Sequence, residues 1–295
     1  MNKTDIDWCD RTWNPITGCY HDCEYCYADE FQRRYRGCLH EGHRANGCCY
    51  NPHGRPGELI LQPGDEAYIH PLADKNYPIF DLEEPLPFKT EKGEITKAPY
   101  PFGFIPTLHR YRLRKPTTIK TPQNVFVGSM ADGFGSWVPD EWIEQVFRAC
   151  EAAPQHRYLF LTKNAQRYDC LSYLLAKGKK HGNWWFGVSA TNQDSFDKQA
   201  DGLDFYAQPC NAFVSLEPLH GPIELDGLGN PHGIRWVIVG AETGRNPITT
   251  PKPEWVYAIV DACKAAGVPV FLKDNLQKYV RAEYIDAHKQ CPWKV

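Results

Sequence analysis

The sequence lacks any apolar run that approaches the length of a membrane span. It also lacks a basic excess: 33 Lys and Arg stand against 36 Asp and Glu, a formal net charge of −3. The pI is about 6.4. Any contact with nucleic acid must then come from a local patch. The opening Met1-Asn2-Lys3-Thr4-Asp5-Ile6-Asp7 is polar and carries no signal-peptide pattern. Internal repeats and low-complexity tracts are absent. Cysteine is plentiful, at 12 residues, but is not spaced like the disulfide framework of a secreted domain. The expectation is a reducing cytoplasm and no membrane, where cysteine binds metal or fills cores.

Three of those cysteines lie close together. Gly18-Cys19-Tyr20-His21-Asp22-Cys23-Glu24-Tyr25-Cys26-Tyr27 spaces them as C-x3-C-x2-C, just after a short expected strand. Three neighbouring thiolates can hold three irons of a cubane [4Fe–4S] cluster. No fourth cysteine lies beside them, so the fourth iron would stay open to a small molecule. Two rivals share these residues. Zinc would take the cysteines with His21 as fourth ligand. Alternatively, two cysteines form a disulfide and one stays spare.

From about Val125 onward one rhythm repeats: apolar run, polar turn, helical stretch. The runs are Asn124–Gly128, Arg157–Leu161, Trp184–Val188, Ala212–Leu216, Arg235–Gly240 and Val268–Leu272. Their β-branched and aromatic content predicts buried parallel strands. Pro139–Cys150 and Pro253–Lys264 open with Pro and acids, as helices do, and the second stops near Gly267. With the strand before Cys19 this gives about seven β/α units. The expected fold is α/β, a partial or complete parallel β/α barrel built from residues 1–36 and 123–295. Residues 37–122 break the rhythm. They read as a long irregular insertion after the first β/α unit, rich in Pro, Cys and His.

Function in β/α barrels sits at the C-terminal strand ends. That rule selects the three cysteines, Gly128-Ser129-Met130-Ala131-Asp132, Thr162-Lys163-Asn164, Ser189-Ala190-Thr191-Asn192, Glu217-Pro218-Leu219, Gly240-Ala241-Glu242-Thr243-Gly244 and Lys273-Asp274-Asn275. Each cluster taken alone also reads as an ordinary polar turn.

With the aromatic Tyr25 ahead of its last cysteine, the first segment resembles the C-x3-C-x-aromatic-C motif of the radical S-adenosylmethionine (SAM) enzymes. Trp13–Cys19, Phe126–Asp132, Leu161–Lys163, Gly187–Ser189, Ser215–Leu219 and Val239–Gly244 follow in order. Together they resemble an uncharacterised phage-associated family of three-cysteine radical-SAM-like proteins, over residues 1–36 and about 100–280. The resemblance implies the radical SAM type of barrel. It implies a [4Fe–4S] cluster on Cys19, Cys23 and Cys26, SAM at the open iron, and an electron donor such as a flavodoxin or ferredoxin. Reductive cleavage of SAM to a 5′-deoxyadenosyl radical is the implied activity. Gly128 and Ser129, with Asp132 in the same segment, would approach the methionine amino group, although Gly-Ser-Met departs from the Gly-Gly-Glu of those enzymes. Ser189 and Asn192 would meet the ribose, and Lys163 or Arg245 the SAM carboxylate. Glu217, Glu242 and Lys273, with Lys163, are the expected catalytic or substrate contacts; a structural ion-pair network is the alternative for them. Trp13, Phe126, Phe160 and Trp185 would wall the site, or simply pack the core.

The insertion holds a second metal candidate in Cys38, His40, His43, Cys48 and Cys49, with His53 nearby. Zinc, an auxiliary iron–sulfur cluster and a plain loop all fit these residues. Cys9 lies too early to be a ligand, and Cys150, Cys170, Cys210 and Cys263 read as core. Two runs interleave arginine with aromatics, Arg33-Arg34-Tyr35-Arg36 and His109–Lys115. They suit phosphates and bases, or a solvated helix face. The expected substrate is a nucleic acid or nucleotide, to be modified or repaired. The alternatives are a peptide or small metabolite, and a zinc-binding nucleic-acid adaptor without radical chemistry.

Overall fold

Apolar runs too continuous for one-sided burial become the buried strands of one sheet. The computed structural model describes residues 1–33, 57–59, 78–90, 93–171, 182–206, 211–225, 228, 233–243 and 247–294. In chain order the strands are β1 (Asn2–Lys3), β2 (Arg11–Trp13), β3 (Ile16–Thr17), β4 (Gly57–Leu59), β5 (Phe80–Leu82), β6 (Pro87–Thr90), β7 (Ile95–Lys97), β8 (Thr107–His109), β9 (Asn124–Val127), β10 (Arg157–Thr162), β11 (Trp184–Ala190), β12 (Asn211–Leu216), β13 (Ile234–Val239) and β14 (Val270–Leu272). The α-helices are α1 (Tyr27–Arg33), α2 (Asp140–Glu151), α3 (Gln193–Tyr206), α4 (Pro253–Ala266) and α5 (Ala282–Ala287). None is long and apolar enough to cross a membrane. The chain divides into two units. The first comprises Met1, Trp13–Lys120 and Gly128–Ala153; the second comprises Asn2–Thr12, Thr121–Val127 and Pro154–Val295.

Nearly all of one eight-stranded sheet belongs to the second unit. Its order is β1-β2-β9-β10-β11-β12-β13-β14, so neighbours in sequence are neighbours in space. From β9 to β14 every pairing is parallel. Asp10 N donates to Asn124 O, and Gly128 N to Trp13 O, so β2 and β9 advance in the same direction. Only β1 is antiparallel, on β2. β1 and β14 end the order, and the sheet is open. The expected α/β class with a parallel sheet is therefore present.

One face of this sheet is aromatic. Phe126, Leu159, Trp185, Phe213, Trp236, Ile238 and Phe271 form a single buried cluster. Trp8, Cys9 and Cys291 join it, with Ile6 and Trp293 packed alongside, so both chain ends help cover it. Phe213 lies against Gly187, where a Cβ would stand 2.4 Å from its ring. Phe160 does not share this face, contrary to its grouping with Phe126 and Trp185: it stacks on Phe186 at 4.9 Å. The strand period of two puts neighbouring residues on opposite faces.

Helix α4 has Pro253 at its first turn and Gly267 in the left-handed region at its C-cap (φ 67°). Both residues perform the terminal roles their chemistry favours. Its inner face is Val256, Ile259, Val260 and Cys263.

The first unit is built from smaller pieces. β3, β8 and β5 form one three-stranded sheet, and β4, β6 and β7 form another. Buried Leu82, Leu86, Ala98 and Phe102 make a small core. Helix α2 buries Trp142, Ile143, Val146, Phe147 and Cys150 on one stripe. Arg110 ties these pieces together. Its guanidinium reaches Asp81 at 2.9 Å, Glu83 at 3.0 Å and Gln145 at 2.7 Å. Arg112 donates to the carbonyls of Asn14 and Pro99, each at 3.0 Å. These two arginines of the second basic run are thus engaged in internal contacts. Arg114 and Lys115 are exposed.

Candidate functional site

The cysteine loop belongs to the first unit. β3 delivers the chain to Gly18, whose φ of +86° suits glycine. A Cβ there would stand 2.3 Å from Ile105 O. Gly18 N donates to Met130 O at 2.9 Å, and Cys19 N to Phe104 O at 3.0 Å. Cys26 N closes a turn onto Cys23 O at 3.0 Å, and α1 starts at the next residue. Cys19, Cys23 and Cys26 are all half-buried, and none is in a disulfide. The loop is therefore anchored at its start and turned into a helix at its end.

The sulfurs have backbone donors. His21 N lies 3.5 Å from Cys19 Sγ, and Asp29 N lies 3.4 Å from Cys26 Sγ. Burial pushes the Cys19 thiol up to about 12, opposed by the His21 N–H and reinforced by the Asp132 charge. A metal would replace that proton, since a coordinating thiol is deprotonated outright. Three soft thiols, two of them with N–H donors to sulfur, suit an iron–sulfur cluster in donor chemistry. Among the described residues, no three or more His, Cys, Asp or Glu side chains converge as a ready-made metal-holding group.

His21, considered above as a fourth ligand for zinc, is tied to Asp132. Its Nε2 is 2.8 Å from Asp132 Oδ2, and its ring meets Trp137 edge-on at 4.9 Å. Asp132 Oδ1 also accepts from Phe134 N at 3.0 Å. Asp132 is buried and holds the cysteine loop through His21. Gly128 turns with φ +80°. Ser129 exchanges hydrogen bonds with the Asn14 side chain at 3.1 and 3.2 Å, and Tyr27 Oη donates to Ser129 O at 2.5 Å. Tyr25 is half-buried.

The second unit assembles the other expected residues along its strand ends. Lys163 Nζ donates to Ser189 Oγ at 3.0 Å. Ser189 Oγ approaches Glu217 O at 3.4 Å. Lys273 Nζ pairs with Glu217 Oε1. Asn275 Nδ2 stands 3.4 Å from that oxygen, with its amide fixed by Ala241 O at 2.7 Å and Ala241 N at 3.0 Å. Glu242 is bound by His220 Nε2 at 3.2 Å and Ile248 N at 3.0 Å. Lys163, Ser189, Glu217 and Lys273 continue the alternation of the aromatic face, further along their strands than Leu159, Trp185, Phe213 and Phe271.

Asn192 is used differently. Its Oδ1 accepts from Ser195 N at 3.0 Å, and Ser195 Oγ accepts from Asn192 N at 3.0 Å, a reciprocal cap on α3. His220 escaped the sequence reading. It is one histidine 22 residues from its partner, and no local spacing announces the pair. Cys150 and Cys263 are buried, as expected of core cysteines, and Cys9 is buried too. Cys38, His40, His43, Cys48, Cys49, His53, the run 34–36, Cys210 and Arg245 lie outside the described residues, as does the side chain of Cys170.

Neither a curated protein nor a solved structure matches the chain. Residues 88–291 match the family described as "Protein of unknown function (DUF5131)". That span begins after the cysteine loop and takes in most of the eight-stranded sheet, about two thirds of the 295 residues, so the chain belongs to that family.

Proposed function

We propose that this chain is an enzyme of the radical SAM type, with Cys19, Cys23 and Cys26 holding a [4Fe–4S] cluster. The observation that carries this reading is the cysteine loop itself. It presents three half-buried thiols on a backbone anchored at Gly18 and Cys19, with N–H groups donated to two of the sulfurs. When bound, the cluster supplies an electron for reductive cleavage of a SAM sulfonium, with a flavodoxin- or ferredoxin-like donor upstream. The residues around it bind and orient. His21 and Asp132 set the loop, Asn14 fixes Ser129 and the Met130 N–H, and Tyr27 clamps the Ser129 carbonyl.

The finer fold we propose is a partial β/α barrel. Parallel strands in sequence order, joined by right-handed crossovers, put their helices on one face. The aromatic face is then the concave one. As substrate we favour a small polar molecule or peptide over a nucleic acid. Arg110 and Arg112 are committed internally, and the strand-end row is balanced in charge rather than basic.

The test is anaerobic reconstitution with iron and sulfide, followed by metal analysis. About four irons per chain are expected, with each of Cys19→Ser, Cys23→Ser and Cys26→Ser losing most of them. Stoichiometric zinc in place of iron would overturn the reading.

A further inference from the structure

The strand-end row of the second unit contains a charge pair spanning three strands. Glu217 follows β12, Lys273 follows β14, and β13 lies between them. The two side chains meet because β13 ends in Gly240. A Cβ at Gly240 would stand 2.8 Å from Glu217 Oε1 and 3.0 Å from Lys273 Cδ. No positive φ requires glycine at this position. Space for the pair does.

The pair is only partly withdrawn from water, with 23% of the Glu217 side chain and 16% of the Lys273 side chain exposed. Such a pair loses hydration on both sides and returns little net stability. Yet it is carefully supported. Asn275 points its amide at Glu217 from a position fixed by both polar groups of Ala241. A second ammonium, on Lys163, lies across Ser189, and a second carboxylate, on Glu242, is held by His220. Beneath the row is the apolar floor of Trp185, Phe213, Trp236 and Phe271. The site thus presents one carboxylate and one ammonium side by side above a buried apolar layer.

We propose that the Glu217–Lys273 pair is the recognition site for a free α-amino acid. The ligand's ammonium replaces Lys273 at Glu217, whose carboxylate Asn275 supports, and its carboxylate replaces Glu217 at Lys273. Both protein charges keep a partner throughout the exchange. A ligand with only one charge strands the other member, which selects against it. This inference stands on the second unit alone and does not need the cluster.

The experiment is thermal unfolding of the full chain as purified, without reconstitution. The probes are L-alanine, L-methionine, L-glutamate and L-lysine, with acetate and methylammonium as single-charge controls and SAM as a separate arm. At roughly tenfold excess over Kd, one or more amino acids should raise Tm by on the order of 3 °C, and the controls should not. Glu217→Gln and Lys273→Met should each abolish the shift. Gly240→Ala alters no charge and should weaken binding about tenfold or more by crowding the pair; it carries the test if the charge variants fail to fold. No shift with any amino acid would overturn the proposal, as would a shift with SAM alone or one that survives these substitutions. Absence of iron in the reconstituted protein would overturn the radical reading and leave this result untouched.

Discussion

Gly18 is the residue on which the cysteine loop turns. Its positive φ and its contact with Ile105 O leave no room for a side chain. Gly18→Ala should cost on the order of 3 kcal/mol, from left-handed backbone strain plus steric overlap. Urea unfolding would measure the loss, and reconstituted iron content should fall with it. His109 makes a second prediction. It is fully buried between Thr17 Oγ1 at 2.9 Å and Tyr111 Oη at 3.0 Å. Burial first, then the Arg112 charge, holds its imidazole well below the ordinary 6.5. As pH falls below 6.5 the unfolded chain takes up this proton before the folded one does. The stabilisation is therefore present above that value and fades as pH drops towards the folded value. His109→Gln cannot titrate and should lose this part of the slope, seen as a smaller gap between urea midpoints at pH 7 and pH 5. A slope equal to that of the parent protein would show that His109 is not held neutral.

Elements differ in how much of them the sequence announces. β9 to β14 were legible because each is a run of Val, Ile, Phe, Trp and Leu, and the expected bounds lie within two residues of those observed. Helices α2 and α4 were legible from Pro and acids at one end and a long apolar stripe. β2 and β3 have three and two residues, too few to show any period. A short strand was expected before Cys19, and the pairing of β2 with β9 and of β3 with β8 gives the bounds. The arginine-rich run is only partly accounted for by its composition. Its composition is basic, but Arg110 is consumed by carboxylates on β5 and in the turn after it, and by Gln145 on α2. Arg110→Ala should therefore destabilise by about 2 kcal/mol, since it leaves the half-buried Asp81 without this partner. Arg114→Ala should stay within about 0.5 kcal/mol. Equal losses in chemical denaturation would contradict this division. Nucleic-acid binding with a steep salt dependence that Arg114 and Lys115 substitutions flatten would restore the nucleic-acid substrate.

At the scale of the whole molecule, two kinds of sequence signal meet two kinds of structure. The three cysteines were legible by spacing, because the loop that carries them is local in the chain. Lys163, Glu217, Glu242 and Lys273 were legible as polar residues following strands, but their partners were not. The Glu217–Lys273 contact spans 56 residues, and only the strand order brings it together. Asn192 shows the converse: a polar residue after a strand, taken up by the helix that follows. The proposed radical chemistry depends most on the cysteine loop, so the decisive measurement is electron paramagnetic resonance of the reconstituted, dithionite-reduced protein with and without SAM. A reduced-cluster signal that changes shape on adding SAM, and that disappears in the cysteine variants, is the predicted result. No cluster signal, or one indifferent to saturating SAM, would contradict it.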